Sequence, residues 1–299
     1  MHTSNLAAFL ESSRTAISMC GAGIVVFLVG LWAAKSDIVR ARGLDKIVAL
    51  SNLCFAIPLA IFGALHLSSV EFVLPAVPPY MPWPLFWAYF VGFALIAASL
   101  SIAKRIEVRW SGLLFGIMMF LFVAMSDIPG VLANPGDRFA WTLVLREMSF
   151  AGGGWILAGN AMRGKAGGDL ITVGRVSIAI AAMFFGVEHF LHPLARPGVP
   201  LEKLMPVWIP GRLLIGYLTG GILLGAGTLI LLAKKTPMAA AYLGIWIVLL
   251  VLFIYGPILI VSLADPSISV EIEGINYFAD TLLFGGAVLA LASVEPRTD

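Results

Sequence analysis

Apolar positions in this chain come in unbroken blocks, without the alternation that marks a surface strand or the one-sided stripe that marks a surface helix. The blocks cover about residues 16–34, 46–66, 85–103, 110–125, 139–162, 173–189, 213–233, 238–263 and 275–291. They average about twenty residues, the length at which a helix crosses a hydrocarbon core roughly 30 Å thick. Lipid offers the backbone no hydrogen-bond partners, so segments of this kind close their bonds internally. The pattern predicts an all-α polytopic membrane protein of nine transmembrane helices.

One stretch occurs twice. Phe62-Gly63-Ala64-Leu65-His66 leads through a proline-rich connection to Met81-Pro82-Trp83-Pro84 and an apolar run through Tyr89 and Gly92. Phe185-Gly186-Val187-Glu188-His189 leads likewise to Pro206-Val207-Trp208-Ile209-Pro210 and a run through Tyr217 and Gly220. Internal repeats change the whole reading of a fold. Here the nine helices divide into an N-terminal helix with a basic loop (1–45), a four-helix unit (46–165) and a second four-helix unit (166–299). Because four is even, both units insert the same way up, giving a parallel repeat about an axis along the membrane normal.

Composition agrees. The 299 residues are 60% apolar and 12% charged, with a mean hydropathy of +0.97, whereas about a quarter of a soluble domain is charged. The net charge of +2 gives no reason to expect nucleic acid as a partner; the expected partner is the lipid bilayer. Cys20 and Cys54 both lie in apolar blocks and no Cys-x-x-Cys occurs, so a dithiol centre and a cysteine zinc site are excluded. Positive charge follows the first block at Lys35, Arg40, Arg42 and Lys46, where a cleaved leader would carry it in front. Those residues, with Lys104, Arg105, Arg109, Arg163, Lys165, Arg175, Lys234, Lys235 and Arg297, fall on one side of the membrane; Arg14, Arg138, Arg196 and Lys203 fall on the other. The positive-inside rule then places the N-terminus outside and the C-terminus in the cytoplasm.

Ionisable residues at membrane depth are costly and point to function. His66, Arg146, Glu147, Glu188, His189, His192, Arg212 and Asp280 are expected at one level, near the extracytoplasmic face. His66 and His189 occupy matching positions, as a bis-histidine haem or a copper site requires, with His192 one turn beyond. The alternative is a set of polar helix caps inherited through duplication. Arg146, Glu147 and Glu188 suit an anion or quinone head group with a carboxyl to move a proton. Against that stands an interhelical ion pair, Arg146 with Asp280 or Arg212 with Glu188. Gly216, Gly220, Gly221 and Gly225, and Gly152-Gly153-Gly154, are expected at close helix contacts.

The duplicated Gly-x-x-His, the connection through Val77-Pro78-Pro79-Tyr80-Met81-Pro82 and the Tyr-x-x-Gly helix at Tyr89 and Gly92 resemble the DoxX-like family of four-helix membrane proteins. The second copy resembles it through Glu188-His189-Phe190 and Pro206-Val207-Trp208-Ile209-Pro210. The resemblance implies a place in bacterial inner-membrane redox metabolism, as an oxidoreductase component working with redox partner proteins. From a different class, a small-solute transporter or a non-catalytic scaffold also accommodates these features.

Overall fold

A computed structural model describes residues 2–162 and 164–294, with side chains from Arg14 onward. Arg163 and Arg297 of the charge pattern, and the side chains of His2 and Glu11, lie outside the described residues. The described chain is helical, and its one isolated bridge joins Ala195 to Leu204. In chain order the long segments are α1 (His2–Arg40), α2 (Ser51–Ser68), α3 (Pro84–Lys104), α4 (Val108–Ala133), α5 (Arg138–Ala161), α6 (Lys165–Leu191), α7 (Arg212–Leu231), α8 (Thr236–Leu263) and α9 (Ile268–Ala292). Eight of them are long and apolar enough to cross a membrane. The exception is α5, whose hydropathy is lowered by Arg146, Glu147, Asn160 and its run of glycines.

Neighbours in sequence are neighbours in space: each helix from α2 to α8 packs on the next, and α9 returns to pack on α2, closing a ring. Across the ring, α9 also packs on α5. As a result α9 is the most enclosed span, with 83% of its apolar window buried, while α1 lies outside against α2, α3 and α9 with only 22% buried. Arg138 at the start of α5 meets Glu188 at the end of α6, and Lys203 beyond α6 meets Glu273 near the start of α9. These contacts mark one end of the bundle. Asp37 and Arg105, which pair at the ends of α1 and α3, mark the other.

Three expectations are corrected. The segment from Asp127 to Gly130, between the apolar blocks 110–125 and 139–162, is part of α4: a π-helical turn, Val123–Asp127, admits an extra residue and the helix resumes at Ile128–Ala133. Pro129 sits in the first turn after the bulge, where a missing N–H is tolerated. In α8 the same device, Val251–Tyr255, precedes Pro257, so that proline breaks no helix. Second, α6 begins at Lys165 and α9 at Ile268, each several residues before its apolar block. Third, the predicted glycine contacts hold only in part. A Cβ on Gly152 would lie 2.8 Å from the Gly174 carbonyl, one on Gly153 would lie within 3.0 Å of Ala287, and one on Gly220 would lie 3.1 Å from the Gly186 carbonyl, whereas Gly221 and Gly225 face open space. Close helix contact in lipid selects small residues at the first three positions.

The two stretches α2–α5 and α6–α9 share local detail. Left-handed residues turn both the α3–α4 corner (Arg105, Glu107) and the α7–α8 corner (Ala233, Lys235). His66 Nδ1 lies 2.8 Å from the Phe62 carbonyl and His189 Nδ1 2.6 Å from that of Phe185. Their connections differ. Residues 69–83 form two short 3-10 turns over the surface. Residues 195–201 instead fold inward and are buried without a break.

Candidate functional site

Two polar clusters lie inside the bundle. The first is centred on Arg146, eight residues into α5 and so about 12 Å from the helix start at 1.5 Å per residue. Its Nη1 donates to Asp280 Oδ2 on α9 at 3.0 Å and its Nη2 to Glu147 Oε1 at 3.2 Å. The side chains of Arg146, Glu147 and Asp280 are 16%, 15% and 11% exposed. A fourth member is Asp127, the last residue of the π-helical turn in α4, whose carboxyl lies beside that of Glu147. In the sequence Asp127 lies beyond the apolar block 110–125, directly before Ile128-Pro129-Gly130. The signal for a longer helix was the second half of the chain, where the apolar block runs on past Tyr255-Gly256-Pro257.

Arg146 Nε, Glu147 Oε2 and Asp127 Oδ2 are buried and have no hydrogen-bond partner among the described residues. Buried polar atoms of this kind are few in folded proteins, and each has a cause such as strain, a catalytic role, water or an ion. The cluster therefore offers an unpartnered N–H donor on α5 and unpartnered carboxyl oxygens on α5 and α4. It also joins α5 to α9, which is the expected Arg146–Asp280 pair.

The second cluster surrounds the end of α6. Glu188 is buried and accepts from Arg138 Nη1 at 2.8 Å, with His192 Nε2 at 3.9 Å. The expected Glu188–Arg212 pair is not formed, because Arg138 at the head of α5 lies nearer; Arg212 instead donates to the Met205 carbonyl at 3.2 Å. His189 is fully buried, and its Nε2 accepts from the Gly198 N–H at 3.1 Å while Nδ1 faces the Phe185 carbonyl. These partners require a neutral ring with the proton on Nδ1. Residues 195–201 are held by further bonds: Tyr255 OH donates to the Pro197 carbonyl at 2.8 Å, and Arg138 donates to Pro200 and Leu201 carbonyls at 3.3 and 3.1 Å. Non-helical backbone at this depth is tolerated when protein surrounds it. Arg196 lies over the Tyr277 ring at 4.2 Å and pairs with Glu273 at 3.4 Å; neither contact was anticipated.

His189 has both ring nitrogens engaged, and among the described residues no three His, Cys, Asp or Glu side chains are grouped to hold an ion. His189 therefore has no ring nitrogen free for a metal. Comparison with family models, with curated proteins and with solved structures found no match to this chain.

Proposed function

We propose that this chain is a DoxX-like integral membrane protein that binds the head group of a quinone or similar small redox ligand at the Arg146 cluster, as an oxidoreductase component of the bacterial inner membrane. The observation that carries the reading is the trio of unpartnered buried atoms, Arg146 Nε, Glu147 Oε2 and Asp127 Oδ2, on two adjoining helices. In this reading Arg146 orients a carbonyl of the head group and Glu147 with Asp127 holds or releases a proton. A bound quinone would itself supply two-electron, two-proton redox chemistry.

The proposal includes the layout of one helix followed by two like-oriented quartets, α2–α5 and α6–α9, with the N-terminus outside. The paired left-handed corners, the paired π-helical turns and the paired histidine bonds support it. So does the contact of Arg146 with Asp280 and of Gly153 with Ala287, since both link α5 to α9 at the same spacing along each helix, as a two-fold relation requires. The polar clusters lie towards the end of the bundle expected to face outward.

The test is the quinone content of protein purified from native membranes, read by ultraviolet difference on borohydride reduction. Wild type is expected to carry quinone above the lipid background, and Glu147→Gln to lose it without a change in thermal midpoint. A content equal to that of an unrelated polytopic protein prepared in the same way rejects the reading.

A further inference from the structure

Two of the side chains that hold residues 195–201, His189 and Tyr255, have counterparts in α2–α5, His66 and Asp127, that hold no backbone of the first connection. His189 Nε2 accepts from Gly198, whereas His66 Nε2 makes no hydrogen bond among the described residues although its Nδ1 bond is the same. Tyr255 closes the π-helical turn of α8 and bonds to Pro197; Asp127 closes that of α4, and its Oδ2 is unpartnered. Thr281, which follows Asp280, stands beside Tyr255 as Glu147, which follows Arg146, stands beside Asp127. The first connection does not supply the missing partners. It touches the bulge of α4 from outside, through Tyr80 OH to the Met125 carbonyl at 3.0 Å, and most of residues 71–80 are exposed or half-buried.

We infer that the quartets are unequal: the second fills its site with its own residues 195–201, and the first presents the corresponding site, at His66 and Asp127, to a ligand. This rests on the ligand-binding reading above and names the ligand's chemistry. What the second quartet receives at this place is one N–H donor, to His189, and one carbonyl acceptor from the adjacent residue, to Tyr255. A ligand of the first quartet must offer the same pair a few ångströms apart. A quinol hydroxyl and its neighbouring oxygen substituent do so, the hydroxyl donating to His66 Nε2 and the neighbouring oxygen accepting a hydrogen bond from Asp127 in its protonated form. One ligand per chain follows, although the fold is doubled.

The full-length protein in lipid nanodiscs is titrated with decylubiquinol under argon and, separately, treated with dicyclohexylcarbodiimide, a lipid-soluble reagent for protonated carboxyls, with the modified residue located by mass spectrometry. Expected are one decylubiquinol per chain, affinity lowered tenfold or more by His66→Gln and by Asp127→Asn, affinity within twofold of wild type for Tyr255→Phe, and carbodiimide labelling at Asp127 or Glu147. Thermal midpoints measured on each variant separate loss of binding from loss of fold. Two ligands per chain, or an equal loss from Tyr255→Phe, overturns the inference. Labelling at Asp127 or Glu147 without decylubiquinol binding rejects the quinone reading and leaves the accessible first quartet standing. Neither labelling nor binding overturns both.

Discussion

Replacing Arg146 with Ala tests whether the contact between α5 and α9 is an energetic tie between the two halves of the molecule. Arg146 Nη1 and Asp280 Oδ2 are 3.0 Å apart; at an effective dielectric near 20, unit charges at that separation attract by roughly 5.5 kcal/mol. Removing two ions from water costs several kcal/mol each, which offsets most of that attraction. The intact pair is therefore worth little beyond what two apolar side chains would supply. Loss of one partner is different, because the survivor is left in an apolar surround at about 3 to 5 kcal/mol in soluble cores. Membrane couplings are smaller, about 0.6 kcal/mol on average and about 1.7 at most, because the unfolded chain in lipid finds other partners.

Arg146→Ala and Asp280→Ala are accordingly expected to cost roughly 2 to 4 kcal/mol each, between those two scales. The double variant should cost less than the sum, with a coupling of about 1 to 2 kcal/mol. Arg146→Leu with Asp280→Leu should recover most of the loss, since an apolar replacement of a buried pair is often neutral. The assay is unfolding in mixed dodecylmaltoside and sodium dodecylsulfate micelles, with all four corners of the cycle measured. Single variants that add to within about 0.3 kcal/mol, or a double-leucine protein no more stable than either single, would refute the reasoning.

Gly198 occupies a conformation open to glycine, φ +102°, and a Cβ there would lie 3.3 Å from Thr281 Cγ2; Gly198→Ala should cost about 1 to 3 kcal/mol, seen as a lower thermal midpoint in detergent. Gly152→Leu places a side chain where even a Cβ meets the Gly174 carbonyl at 2.8 Å, so monodisperse yield on size-exclusion chromatography should collapse. Gly225→Ala, with nothing within 4 Å, should leave it unchanged or gain up to about 1 kcal/mol of helix propensity.

Much of this protein was legible in the order of its residues. Long apolar blocks force helices because the bilayer supplies no hydrogen bonds, and that constraint is local, so the apolar helices and the histidines near the ends of α2 and α6 follow from the chain alone. The expected tie from Arg146 to Asp280 was legible for the same reason: a charge within an apolar helix needs a partner, and few were available. Asp127 was not, since an aspartate before Ile-Pro-Gly reads as the end of a helix until a π-helical turn carries the chain past the proline. Nor was the fate of Glu188, because which arginine reaches it depends on how α5 lies against α6, and that is set by glycines touching across the interface. Tertiary packing also decided that one proline-rich connection stays at the surface while the other enters the bundle. Both connections have similar composition, and only the partners waiting inside, His189 and Tyr255 in one half against His66 and Asp127 in the other, distinguish them.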